Sequence, residues 1–248
     1  MSRPKQDYSI FNKFNFKQPP VGVKYLFTKP DGIERLDKKL DLCEMPKEAL
    51  ERGTPFYTDP DNYICGAGAH VVFGRELPRV TASGQVGPAL EIFKEPRANR
   101  RVYDILPKME PGTVNYIVFS LLDKLPFEPD LVLVFTDDTS QAEILLRAMS
   151  YNTGEMWSSQ MTFVVSCAWI FAYPYLSGEV NYITPDLGFS VNVKKSYPAG
   201  RQLISIPYDW LPVIMQNLQE MKWVPTVFTN KRDEFVKQAF GKLGITPH

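Results

Sequence analysis

Two apolar runs at the centre of the chain dominate its pattern of hydrophobic and polar positions. Tyr116–Leu122 (YIVFSLL) and Leu131–Thr136 (LVLVFT) are rich in β-branched residues and bounded by turns. Such runs predict strands buried on both faces. The segment DKLPFEPD between them is too short for a helical crossover, so these strands need not be parallel neighbours. Val21–Phe27 (VGVKYLF) predicts an earlier strand, followed by the turn signal Lys29-Pro30-Asp31-Gly32. Further strands are expected at Thr162–Val165, Tyr182–Asn192 and Gln202–Ile206.

Helical spacing marks other segments. Pro46–Gly53 has proline in its first turn and glycine at its stop, and Pro96–Leu106 (PRANRRVYDIL) is a clearer helix. Gly87–Phe93 and Ala168–Leu176 read as shorter helical stretches, the latter ended by Gly178. Ser140–Asn152 carries Ile144, Leu145, Ala148 and Met149 on one face, with Ser140 and Glu143 at capping-box spacing and Gly154 beyond. Trp210–Met221, with Asp209 as its expected cap, and Lys231–Leu243 close the chain. Strands and helices are interspersed without strict alternation. The expected fold class is therefore mixed α/β: residues 1–20 as an arm with a short helix near Ile10–Phe14, and 21–248 as a single domain whose mixed central sheet is flanked by helices.

Composition narrows the function classes. The chain has 248 residues, 28 basic against 28 acidic, and no basic stripe, so a nucleic-acid surface is not expected. The N-terminus is polar, and the longest apolar stretches fall far short of the roughly 20 residues of a membrane span. A cytoplasmic protein without membrane contact is expected, with a small molecule or another protein as partner. There are three cysteines, Cys43, Cys65 and Cys167. An odd, widely spaced number argues against a disulfide framework. By spacing alone they read as small buried hydrophobes.

Cys65 opens the segment Cys-Gly-Ala-Gly-Ala-His, in which Gly66 and Gly68 let the backbone approach whatever the sulfur binds and offer amide donors. The same glycines could simply make a tight turn, and no lysine completes a phosphate loop. Cys43, Cys65, Cys167 and His70 would form a Cys3His set suited to zinc or an iron–sulfur cluster, although no two are paired closely in sequence as structural zinc ligands are. A Cys–His nucleophilic pair is a third option, without an acyl-transfer signature around either thiol. Asp137-Asp138 ends a buried strand, where either metal-assisted chemistry or capping of the next helix would suit it; capping is favoured. Arg97, Arg100 and Arg101 could grip a phosphate or carboxylate, or form a solvated helix face.

From about Pro19 to Met221 the chain resembles an uncharacterised archaeal and bacterial family, domain of unknown function 169. PPVGVKYLF, Leu42-Cys43, Cys65 with its small-residue tail, the arginine helix followed by Met109-Glu110-Pro111-Gly112, PFEPDLVLVF with Ser140-Gln141-Ala142, Cys167 and IPYDWL carry the likeness. The resemblance implies that Cys43, Cys65 and Cys167 stand at shared cysteine positions, which points to a thiolate-held centre, an iron–sulfur cluster above other metals. The family pattern has Cys-Pro-Gly-Gly where this chain has Cys65-Gly66-Ala67-Gly68. It also has Pro-Cys-x-Gly-x-Arg where this chain has Pro185-Asp186-Leu187-Gly188-Phe189-Ser190. Asp186 is thus the candidate fourth metal ligand, replacing a cysteine, and His70 is not a family position. The function expected is cofactor binding at a cysteine-ligated metal centre, with a redox or cofactor-related role. Two alternatives stand beside it: a small-anion-binding or accessory subunit using Gly66, Gly68, Arg97, Arg100 and Arg101 with no cofactor, and a thiol-dependent enzyme.

Overall fold

The computed structural model describes residues 6–229 and 231–245. Its frame is a seven-stranded sheet: β1 (Val21–Leu26), β2 (Glu34–Arg35), β3 (Phe56–Thr58), β4 (Tyr116–Leu121), β5 (Leu131–Thr136), β6 (Asn181–Ile183) and β7 (Gln202–Pro207). The strand order is β2-β3-β4-β1-β5-β7-β6, so the fold is mixed α/β. Among the strand pairs of the described residues, β2–β3 is parallel and the others are antiparallel. The two central apolar strands are not neighbours: β1 lies between β4 and β5, antiparallel to both, with Val23 opposite Phe119 and Val21 opposite Leu133. At Gly22, the second residue of β1, a Cβ would collide with the Leu125 side chain, so glycine permits the loop after β4 to close over the strand.

Alternation along the strands divides the core. Val21, Val23, Leu131, Leu133, Phe135 and Leu203 face one side; Val132, Val134, Ile204 and Ile206 face the other. On the second side, helices Thr139–Ser150 and Leu211–Glu220 pack on the sheet, and the turn Ser9–Phe14 of the N-terminal arm inserts Ile10, Phe11 and Phe14 beside them. Arg147 ties this layer together: it pairs with Glu143 at 2.6 Å and donates to the carbonyls of Lys222 and Trp223. The first side is covered by shorter pieces, the helices Met45–Arg52 and Gly66–Phe73 and the turn Ala168–Ala172. Among the described residues no helix is long and apolar enough to cross a membrane.

Several local expectations are corrected. Thr162–Val165 is not a strand, because Val165 takes a left-handed backbone (φ 59°) that ends extension. Of Tyr182–Asn192 only the start is a strand: Pro185 cannot donate to a ladder, and the chain turns there and forms the helix Phe189–Lys194. Gly66–Gly68 is the first turn of a helix rather than a tight turn. The helix expected over Gly87–Phe93 is confined to Val86–Ala89, after which Glu91 adopts φ 57°. Helix Thr139–Ser150 is capped by Asp138, whose carboxylate accepts from the Gln141 N–H at 2.9 Å; the Ser140–Glu143 box does not form because Asp138 already holds the cap position. Capping thus falls to Asp138 alone, while Asp137 accepts from the Lys17 N–H and pairs with Arg201 at 2.9 Å. Asp209 lies inside a preceding turn, Tyr208–Trp210, and caps nothing.

Candidate functional site

Cys43 and Cys65 sit where regular elements begin. Cys43 lies in the turn Leu42–Glu44, immediately ahead of the helix Met45–Arg52. Cys65 is the cap residue of the helix Gly66–Phe73. The bridge Leu40–Tyr63 draws the Cys43 and Cys65 segments together, and Gly68 permits the approach: a Cβ there would stand 3.1 Å from Leu42 Cβ. Cys167 starts an irregular run. Val165 just before it is β-branched yet left-handed, a conformation that costs about 1–3 kcal/mol and persists where the surroundings enforce it. Directly after it, Ala168–Ala172 is a π-helical turn, a geometry frequent at functional sites. The wide turn survives because side chains capture its carbonyls: Tyr25 Oη donates to Phe171 O at 3.1 Å and Asn181 Nδ2 to Trp169 O at 2.8 Å.

Cys43, Cys65 and Cys167 all line one cavity of about 210 Å³ on the first side of the sheet. Gly66 and Gly68 are in its wall, so two of the predicted binding positions join the thiols. The remaining wall is largely apolar, with Leu90, Ile92, Val164 and Phe189 among its members. Cys43 and Cys167 are buried and Cys65 is half-buried. Burial drives the Cys167 thiol well above its ordinary value, and the charges of Cys65 and Cys43 push the same way. Burial likewise raises Cys43 to about 11, opposed by a hydrogen bond from Ser196 and assisted by Glu44 and Cys65. The phenol of Tyr103, also in the wall, is raised by burial and then by Cys65 and Cys167.

Other predicted residues lie elsewhere. Asp186 is in a separate surface groove with Lys195 and Tyr197, and its carboxylate accepts from the Gly200 N–H. It is not brought to the thiols. Arg97, Arg100 and Arg101 are exposed, and none of them is in the cavity wall. The arginine helix, Pro96–Ile105, reaches the cavity with its other face, through Asn99 and Tyr103. His70 is buried with its Nδ1 donating to the Arg75 carbonyl; it is not in the wall, so no Cys–His pair is assembled there.

The wall also holds polar residues that the sequence did not single out, among them Asp41, Asn99, Tyr103, Ser166 and Lys194. Asn99 and Tyr103 are one helical turn apart on the inward face, a spacing visible in the sequence. Lys194 pairs with Asp41 and is lowered from its ordinary value by burial. Ser166 is buried with its Oγ unpartnered, and Gly188 packs so closely on that hydroxyl that a Cβ would overlap it. Nothing in the sequence marks Ser166 or Lys194.

Among the described residues, no group of three His, Cys, Asp or Glu side chains is close enough to hold a single metal ion. The three thiols line the same cavity without forming such a group.

No solved structure matches the chain. An uncharacterised protein of Methanocaldococcus jannaschii is 27% identical over 218 residues, covering 84% of this chain and 90% of that protein. The model of the uncharacterised ArCR family, domain of unknown function 169, matches residues 9–217, a span that contains every cavity-lining residue named above. The chain belongs to that family.

Proposed function

We propose that this protein binds a thiolate-ligated cofactor, an iron–sulfur cluster held by Cys43, Cys65 and Cys167, and serves a redox or cofactor-related role. One observation carries the reading: three thiols far apart in sequence line the same cavity. Cys43 and Cys167 hold their protons tightly in the free protein, so ligation exchanges protons for iron at buried sulfurs. Cys43 and Cys167 are buried, and the amide-bearing first turn at Gly66–Gly68 offers donors beside Cys65. When bound, such a cluster supplies one-electron chemistry, and three protein thiolates leave one iron of a four-iron cluster open to another ligand. Asp186 does not reach that position. Anaerobic reconstitution with iron and sulfide tests the reading. The expected product is a coloured protein with stoichiometric iron and sulfide, and its alkylation-protected thiols are the three cysteines. A colourless, metal-free protein with three freely alkylated thiols would overturn it.

A second reading rests on the apolar wall and the unpartnered Ser166 hydroxyl: an organic molecule fills the cavity without metal. Native mass spectrometry after gentle purification separates the two, because this reading expects a stoichiometric organic mass and no iron. A thiol enzyme is disfavoured at Cys43 and Cys167, whose raised pKa values make them poor nucleophiles at neutral pH.

A further inference from the structure

The cavity wall holds polar groups that the fold leaves unanswered. Ser166 is 2% exposed, and its hydroxyl has no hydrogen-bond partner. Its place depends on Gly188, where any Cβ would fall on the Ser166 oxygen. Asp41 is 6% exposed; Lys194 pairs with its Oδ2, and its Oδ1 has no partner. A third set lies at the start of the helix Gly66–Phe73. There the Ala69 N–H donates to the Cys65 carbonyl at 3.1 Å, while the amides of Gly66, Ala67 and Gly68 precede the first helical bond. The Cys65 side chain does not cap them, and all three residues stand in the wall. The site therefore offers an acceptor at Asp41, amide donors, and a hydroxyl that can do either. Buried polar groups are ordinarily paired, so this set calls for a partner from outside the chain.

We propose that this cavity binds a small neutral carboxamide carried on an apolar body. The inference rests on the second reading above, an organic molecule in a metal-free cavity, and deepens it by naming the class. Size agrees: the cavity of about 210 Å³ exceeds the roughly 150 Å³ that encloses a benzene ring, leaving space for one planar head group. Val86, Leu90, Ile92, Val164 and Phe189 supply the apolar wall for the body. Charge selects the head. Among the described residues of the wall there is one acid, Asp41, and one base, Lys194, and they neutralise each other. A carboxylate head would set a second anion beside Asp41 and bring no donor to Oδ1. An ammonium head would face Lys194 and the positive end of the helix. A carboxamide answers both kinds of group without a charge: its NH2 donates to Asp41 Oδ1, and its oxygen accepts from the Ser166 hydroxyl and the helix amides.

The test uses probes of one shape: benzamide, benzoate, acetophenone and α-methylstyrene, which differ in the charge, donor and acceptor of the head. Each is titrated into the dialysed full chain by isothermal titration calorimetry. Benzamide should bind about tenfold more tightly than each of the others, because a site with hydrogen-bonding groups rejects analogues that leave them unpaired. Ser166→Ala breaks no hydrogen bond within the chain and should stay folded by circular dichroism. It should bind benzamide severalfold more weakly, with α-methylstyrene unchanged. Ala67→Phe, which fills the cavity from its wall, should remove the binding of every probe. Acetophenone, α-methylstyrene or benzoate binding as tightly as benzamide overturns the carboxamide assignment and leaves the organic reading intact. Unchanged benzamide affinity in Ser166→Ala, or in a folded Ala67→Phe, overturns it as well. If no probe binds, the inference falls, and the organic reading falls with it when native mass spectrometry also finds no organic mass.

Discussion

The two faces of the sheet are built differently. The face under Thr139–Ser150 and Leu211–Glu220 is covered by long helices, with Ile144, Leu145, Ile214 and Leu218 closing on Val132, Val134, Ile204 and Ile206. Its charged groups are spent on structure: Asp138 on a helix cap, Arg147 on a pair and two carbonyls. The opposite face is covered by short helices and turns that leave a cavity. There the chain also keeps a left-handed valine, a π-helical turn and a buried hydroxyl without a partner. Close packing leaves no room for a ligand, and regular helices leave few backbone or side-chain groups unsatisfied. The irregular face has room for a ligand and thiols facing it. Close packing and open space are thus divided between opposite sides of one sheet.

The sharpest way to break this comparison is a pair of truncations. Leu145→Ala, on the packed face, should cost about 2–5 kcal/mol in urea unfolding, because the residue is 2% exposed and the helices cannot collapse around the hole. Leu90→Ala, in the cavity wall and half exposed, should stay within about 0.5 kcal/mol. Equal costs would mean that the cavity face is packed as tightly as the other.

A smaller effect concerns alkaline pH. The Cys43 thiol rises from 9.0 to about 11 on folding, so the folded chain holds that proton more tightly than the unfolded one. The stabilisation is fully present below pH 9 and is lost as pH climbs through 11, and it amounts to about 2–3 kcal/mol at most for a shift of this size. Buried tyrosines add to the alkaline loss, so the measurement is the difference between the unaltered protein and Cys43→Ala across this range. The gap should narrow as pH rises; a gap independent of pH would contradict the burial of that thiol. Last and smallest, Asp138→Ala should cost about 1 kcal/mol by removing the cap on the packed face, measured by thermal unfolding, with no change in thiol alkylation.

The packed face was largely legible from residue order. The runs at β4 and β5 and the periodic face of Ile144, Leu145, Ala148 and Met149 announce themselves, because strand and helix periods repeat over several residues. The cavity face was not. Val165 reads as a strand residue by propensity, yet its surroundings hold it left-handed. The arginines at 97, 100 and 101 drew attention to the solvent side of a helix whose opposite side carries Asn99 and Tyr103 to the site. Asp186, beside a family cysteine pattern, turned out to serve the Gly200 amide in another groove.

Sequence by itself determined the fold class, the main strands and long helices, a cap drawn from the Asp137-Asp138 run, and the three cysteines as the residues to watch. These follow from local periodicity and residue chemistry. Only the tertiary structure decided that the cysteines share a cavity, that Asp186 and the arginines do not, and that Ser196 stands on Cys43. Those facts depend on which segments the sheet order and the Leu40–Tyr63 bridge bring together. Contacts between residues more than a hundred positions apart leave no trace in the local pattern of either partner.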